Sequence, residues 1–289
     1  MKKTCALLEA AVSCGSPTRG TEYAYDALTA AGAAQLLGGA VCRPMEKLEP
    51  GAEGDPRLRH LDTVMAVSRS LRERTLSALE AGQFPVILGG DHSVAMGSLA
   101  ALGEFYGAEQ VGLIYIDAHT DINTEETSAS GCIHGMDLAA ACGLCCDALT
   151  VGKNKVNLLG RNVHFIGVRS IDPAEYGIAE VEGTHRYPVR RVRRQGMEAV
   201  MADILRQLRG KHIHISFDVD ALDPADFTAT GYNIPDGLTL PEVEAALRLA
   251  LDSGLVCSFE CVEYNPSLDP EGTDREKLLR ILRLVEEHR

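Results

Sequence analysis

The chain has 289 residues, 45% of them hydrophobic, and carries 28 Lys+Arg against 41 Asp+Glu for a net charge of −13. The apolar share is ample for a sizeable core, while the acidic balance argues against nucleic acid and anionic membranes as partners. No apolar run is long enough to span a bilayer, and the nine cysteines, odd in number and without framework spacing, read as reduced thiols of a cytoplasmic protein.

The first residues imitate a signal peptide only faintly, because Glu9 interrupts a short apolar run; residues 4–8 fit a strand better. A Gly/Ser/Pro loop covers 13–20, helix-like sequence covers 23–37, and 48–56 is turn-rich. Residues 58–81 show long helical periodicity with Arg and Glu on the outer face. Residues 84–88 make an apolar strand ending in Gly89-Gly90-Asp91-His92-Ser93, and a helix follows to about residue 106. Residues 111–116 are again strand-like, and a polar loop covers 122–131. Beyond it, 134–143 is helical, 144–160 irregular, 162–168 a strand and 192–209 a helix. Residues 212–217 and 255–262 read as strands, and 240–253 and 275–288 as helices.

This alternation predicts an α/β fold with a mostly parallel sheet and helices on both faces. No linker or shift of composition divides the chain, so residues 1–289 read as a single domain. In such sheets the active site lies at the carboxyl ends of the strands. The notable polar clusters all fall there.

Asp117, His119 and Asp121 follow the strand at 111–116 with i, i+2, i+4 spacing, which in extended chain puts all three on one face. Asp218 and Asp220 repeat the arrangement after the strand at 212–217, and His92 follows the Gly89-Gly90 turn. Unpaired, such groups resist burial. Four carboxylates and two imidazoles balance two divalent cations, and a mostly oxygen set without thiolate favours Mn²⁺ over Zn²⁺. A pair of such ions lowers the pKa of a shared water. The competing reading, surface carboxylates with ordinary core histidines, does not account for two Asp-x-(His/Asp) repeats at strand ends.

The sequence resembles the ureohydrolases, and among them most closely the arginases, over nearly its whole length. The resemblance rests on six motifs in the family's order: Gly89-Gly-Asp-His-Ser93, Asp117-Ala-His-Thr-Asp-Ile-Asn-Thr124, Ser130-Gly-Cys-Ile-His-Gly-Met136, Gly167-Val-Arg-Ser-Ile-Asp-Pro173, residues 216–224, and Glu263-Tyr-Asn-Pro266. It implies a three-layer α/β/α fold with roughly eight strands. It also implies two Mn²⁺ ions per chain, held by His92, Asp117, His119, Asp121, Asp218 and Asp220, and a homo-oligomer, trimeric or hexameric. The implied reaction is L-arginine plus water to L-ornithine plus urea, with Asp121 relaying a proton. Glu263 matches the acid that pairs with the guanidinium; its ordinary rival is a solvated carboxylate. His134 matches the proton-shuttle histidine; its rival is a surface histidine. Asp172 matches the acceptor of the substrate α-amino group, against an ordinary helix N-cap before Pro173. Asn123 and Ser130 match contacts to the α-carboxylate, against simple loop polarity.

Three positions depart from the family pattern. Cys132 stands where arginases usually carry Asn, Asp137 where bacterial arginases usually carry Pro, and Tyr232 lies in Gly231-Tyr-Asn-Ile-Pro235 where many carry Gly-Thr-Pro. All three lie in stretches expected at the amino-acid end of the substrate. They keep open a second guanidino hydrolase, an agmatinase or a guanidino-acid amidinohydrolase. A metal-free relative should have lost ligands, and a deacetylase of similar fold lacks Asp-Ala-His-Thr-Asp. Cys142-Gly-Leu-Cys145-Cys146 lacks the partner pair of a zinc site. His214 is a candidate to support the ligands from behind; His60, His164, His185, His212 and His288 have no metal spacing.

Overall fold

The computed structural model describes residues 2–289. Eight strands, β1 (Cys5–Glu9), β2 (Val41–Arg43), β3 (Phe84–Leu88), β4 (Val111–Ile116), β5 (Val163–Ile166), β6 (His185–Tyr187), β7 (His212–Asp218) and β8 (Val256–Val262), form one sheet. Its order is β2-β1-β3-β8-β7-β4-β5-β6, and every pairing is parallel. Two buried apolar clusters lie against it, one containing Ile213, Ile215 and Phe217 of β7 and the other Val111, Leu113 and Tyr115 of β4. Both faces are therefore covered, as parallel sheets require.

The six longer strands are the ones expected from sequence. β2 and β6 are three residues each and sit at the two edges, too short to show a period. Two expected helices are interrupted by glycine. The stretch 23–37 divides into Ala24–Ala30 and Ala33–Leu36 at Gly32, whose φ is 98°. The stretch 192–209 becomes Val189–Gln195 and Met197–Gln207, with Gly196 at φ 82° and ψ 149° between them. Left-handed or extended glycine ends a helix because it breaks the i→i−4 ladder at low steric cost. The helix expected at 134–143 is a short 3₁₀ turn, Ile133–Met136, followed by Asp137–Ala141. A further helix, Pro173–Val181, starts at the N-cap position weighed for Asp172.

The centre of the sheet positions the site. β3, β8, β7 and β4 are neighbours in that order, and their carboxyl ends lead into His92, Glu263, Asp218 and Asp117 respectively. On β7 the side chains alternate: Ile213, Ile215 and Phe217 join one apolar cluster. His214, Ser216 and Asp218 point to the opposite face.

Candidate metal centre and active site

His92 is brought in by the turn after β3. Gly90 has φ 84°, and a Cβ there would stand 2.7 Å from the Ala10 carbonyl oxygen, so glycine lets the chain pass. The fully buried His92 ring stacks on Tyr115 with 4.5 Å between centroids and 1° between planes. Its Nε2 meets Ser216 Oγ at 2.8 Å. That leaves Nδ1 facing three carboxylates: Asp117 at 3.0 Å, Asp121 at 3.2 Å and Asp218 at 3.2 Å. His119 Nδ1 faces Asp220 at 3.0 Å and Asp117 at 3.5 Å. Asp117 thus stands between the two imidazoles.

Backbone donors fix the carboxylates. Asp117 Oδ1 accepts the His119 N–H at 2.6 Å, Asp218 Oδ1 the Asp220 N–H at 2.8 Å, and Asp220 Oδ1 the Ala118 N–H at 3.1 Å. Two side chains sit on left-handed backbone, Asp121 at φ 46° and Glu263 at φ 62°. Each such position costs on the order of 1–3 kcal/mol and persists where surrounding structure demands it.

The charges are poorly matched within the protein. Burial raises Asp218, and Asp220 and Asp117 beside it add to the rise. Asp220 is likewise raised, first by burial and then by Asp117. Burial would lower the His92 imidazole, but Asp137 and its hydrogen-bonded carboxylates outweigh it and hold it well above its usual value. Asp117 Oδ2 is buried and faces the His92 Nδ1 at 3.0 Å, while its Oδ1 faces the His119 Nδ1 at 3.5 Å. The donor sets His92–Asp117–Asp218 and Asp117–His119–Asp220 each bring their atoms within 4.8 Å of one another. A buried carboxylate shared by two such sets, one oxygen turned to each, fits a cation in each.

A cavity of about 270 Å³ opens above these groups, lined by His119, Asp121, Asn123, Ser130, His134, Asp172, Asp218, Asp220 and Glu263. Of the sequence-derived site residues, His92 and Asp117 lie beneath this lining, fully buried. Glu263 Oε1 accepts the His92 N–H at 2.9 Å and lies 3.2 Å from His134 Nδ1. Its Oε2 is buried without a partner. Burial would lower His134, and Glu263 outweighs it and raises the imidazole. At the other end, Asn123 Nδ2 donates to Asp172 Oδ2 at 3.0 Å, while Asp172 and Ser130 are exposed at the mouth. Asp172 also stands at the N-cap of Pro173–Val181, so its ordinary role and its place in the cavity coexist.

The three departing positions separate. Tyr232 lines the cavity, with its ring 5.6 Å from both His119 and His134, on the side of Glu263. Cys132 is buried and is not among the lining residues; its N–H donates to Ser130 Oγ at 3.1 Å. Asp137 is fully buried beside Tyr115, which also contacts Asp121 and His92, away from the cavity lining. The expectation that these positions lie at the amino-acid end of the pocket is therefore corrected for Asp137.

Sequence reasoning missed two further residues. Glu175 lines the cavity and accepts the N–H groups of Ile122 at 3.0 Å and Asp172 at 2.8 Å; burial pushes its carboxyl up to about 7. The Asp172-x-x-Glu175 spacing of a capping box was the available signal. Arg169 donates to the carbonyls of Asp220 at 2.8 Å and Ile234 at 2.7 Å, tying the Tyr232 loop to the metal-ligand loop. No local pattern marks that long-range clamp. His214, by contrast, does stand behind the site, bonded to Ser258 at 2.8 Å and 3.2 Å from Glu260.

A parallel α/β sheet whose central strand ends gather carboxylates and imidazoles under a polar cavity defines an α/β protein with a site that could hold metal. A family model, "Arginase family", matches residues 3–283. An arginase of Bacillus caldovelox is 40% identical over 220 residues, covering 75% of this chain and 73% of that protein. The solved arginase structure from the same organism superposes with a TM-score of 0.91 at 32% identity, covering 99% of each chain. An Entamoeba histolytica arginase solved with L-ornithine gives a TM-score of 0.88 at 27% identity, over 98% of this chain and 99% of that one. The chain belongs to the arginase family.

Proposed function

We propose that this protein is a manganese-dependent arginase that hydrolyses L-arginine to L-ornithine and urea. The observation that carries the reading is Glu263, a buried carboxylate on the cavity wall whose Oε2 has no partner among the described residues. A guanidinium supplies the missing donors in a charge-assisted pair. His92, Asp117, His119, Asp121, Asp218 and Asp220 would hold two Mn²⁺ ions per chain, as their mostly oxygen donor set favours. When bound, such ions supply Lewis acidity and a water acid enough to act as a nucleophile near neutral pH.

The residues of the chain do the rest. Glu263 orients the guanidinium carbon over the metal ligands. Asp121 accepts a proton from the attacking water and passes it toward the leaving amine, and His134 shuttles protons between that amine and solvent. Asp172 receives the α-amino group, and Asn123 and Ser130 the α-carboxylate. The relative solved with L-ornithine supports this reading of the cavity mouth. One continuous sheet supports treating residues 1–289 as one catalytic domain. Among the described residues no helix is long and apolar enough to cross a membrane. The free thiols fit a reducing cytoplasm, and we read the assembly as a homotrimer or hexamer.

The aromatic wall at Tyr232 keeps one alternative in play, a guanidino hydrolase with another tail preference, such as an agmatinase. Urea release by the Mn²⁺-loaded protein from L-arginine, agmatine and shorter guanidino acids decides between them. Agmatine leaves the carboxylate contacts unpaired, a loss of order 1–3 kcal/mol, so L-arginine should be preferred roughly ten- to hundredfold in kcat/KM. A better rate with agmatine overturns the arginase reading.

A further inference from the structure

Asp137 is a carboxylate buried to 0% exposure, and no Lys or Arg among the described residues forms a salt bridge with it. Its partners are the Leu138 N–H at 2.7 Å and the Tyr115 hydroxyl, 3.3 and 3.4 Å from its two oxygens. One amide and one phenol are meagre compensation for a buried acid. The arrangement makes sense if a cation completes it.

Tyr115 shows where. Its hydroxyl donates to Asp121 Oδ2 at 2.9 Å and lies 3.1 Å from His92 Nδ1, while its ring stacks on the His92 imidazole. Ser216 holds the opposite edge of that imidazole. Tyr115 has one hydroxyl proton and faces two carboxylates, Asp121 and Asp137, beside the His92 Nδ1. His92, Asp121 and Asp137 also bring their donor atoms within 4.8 Å of one another.

We propose that Asp137 and Tyr115 form a positioning pair of the metal centre, which strengthens the hold on the ion at the His92 side. The inference rests on the metal-dependent reading above and extends it. Asp137 adds negative charge behind His92 and Asp121. It also offers the Tyr115 proton an acceptor when Asp121 and His92 turn their lone pairs to a cation. The His119 side gains nothing from this pair, because its carboxylate neighbours are Asp117 and Asp220.

The test is a Mn²⁺ titration of the metal-stripped full chain, with free ion followed by its EPR signal, on wild type, D137N, Y115F and the double variant. D137N and Y115F should each weaken one of the two ions by roughly tenfold, as loss of an outer hydrogen-bond partner does. The other ion should change by less than about twofold, and the double variant should be no worse than D137N, since both act along one path. The melting temperature of metal-stripped D137N should equal or exceed that of wild type, because an amide is less costly to bury than an acid with so few partners. If the ions bind D137N as they bind wild type, the proposal fails. It fails equally if both ions weaken alike and the metal-stripped variant melts lower, which is the signature of a folding role. Should D137N not fold, Y115F alone decides by the same criteria. A wild type that binds no Mn²⁺ overturns the underlying metal reading instead, so the two failures are distinct.

Discussion

Glu263 and His134 are joined side chain to side chain, Oε1 to Nδ1 at 3.2 Å, and the same oxygen accepts the His92 backbone N–H. The proposed guanidinium anchor and the proposed proton shuttle are thereby fixed to each other and to the loop of a candidate metal ligand. Glu263→Gln keeps the shape and removes the charge. Hydrogen bonds to charged groups contribute about 1.5–3 kcal/mol, so kcat/KM for L-arginine should fall roughly ten- to hundredfold. The melting temperature should stay close to that of wild type. Wild-type turnover in this variant contradicts the assignment.

Metal content gives an independent check. The loaded protein, freed of excess ion, should retain about two Mn²⁺ per chain. Asp117 stands between the two imidazoles, so Asp117→Ala should deplete both sites, and adding Asp218→Ala should abolish hydrolysis. Urea release by that double variant at the wild-type rate is the outcome that sinks the metal reading.

Tyr232 sits edge-on to His119 and stacked on His134, each at 5.6 Å between centroids. A ring there can face a bound guanidinium, an attraction of about 0.5–2 kcal/mol. Tyr232→Ala should raise KM roughly 2- to 30-fold, and Tyr232→Phe should change it little. The chain has no tryptophan, so Tyr232→Trp installs a single indole, excited apart from the tyrosines, whose emission should respond to L-arginine. Equal KM in the Ala and Phe variants removes the aromatic role.

Glu175 carries a pH signature. Burial, reinforced by Asp121, raises its carboxyl to about 7, above its unfolded value. The folded state therefore binds this proton more readily, and stability is lost as pH rises from the unfolded value near 4.5 to the folded value of about 7. In metal-stripped protein, the stability of Glu175→Gln relative to wild type should improve from pH 5 to pH 8. Parallel melting curves across that range count against a buried, protonatable Glu175.

The sequence made the centre of the molecule readable because its signals are local. A two-residue period carries Asp117, His119 and Asp121 to one face, and the same rule applies to Asp218 and Asp220. Apolar runs marked the six longer strands. What escaped depends on partners far along the chain or on too few residues. β2 and β6 have three residues each. Asp137 meets Tyr115 across 22 positions, and Arg169 grips the Ile234 carbonyl across 65. Cys132 was read from its neighbours in the motif, yet its side chain turns into the interior, a direction that spacing in a loop does not set.

The strand order β3-β8-β7-β4 has a consequence for biosynthesis. A nascent chain that has left the ribosome as far as residue 200 carries His92, Asp117, His119 and Asp121 but lacks Asp218, Asp220 and Glu263. It also lacks the two strands that separate β3 from β4. The half-made sheet cannot close its middle, and such long-range parallel pairings are slow to form. The full set of candidate metal ligands, and the carboxylate at 263, therefore exist together only once the C-terminal third has been made.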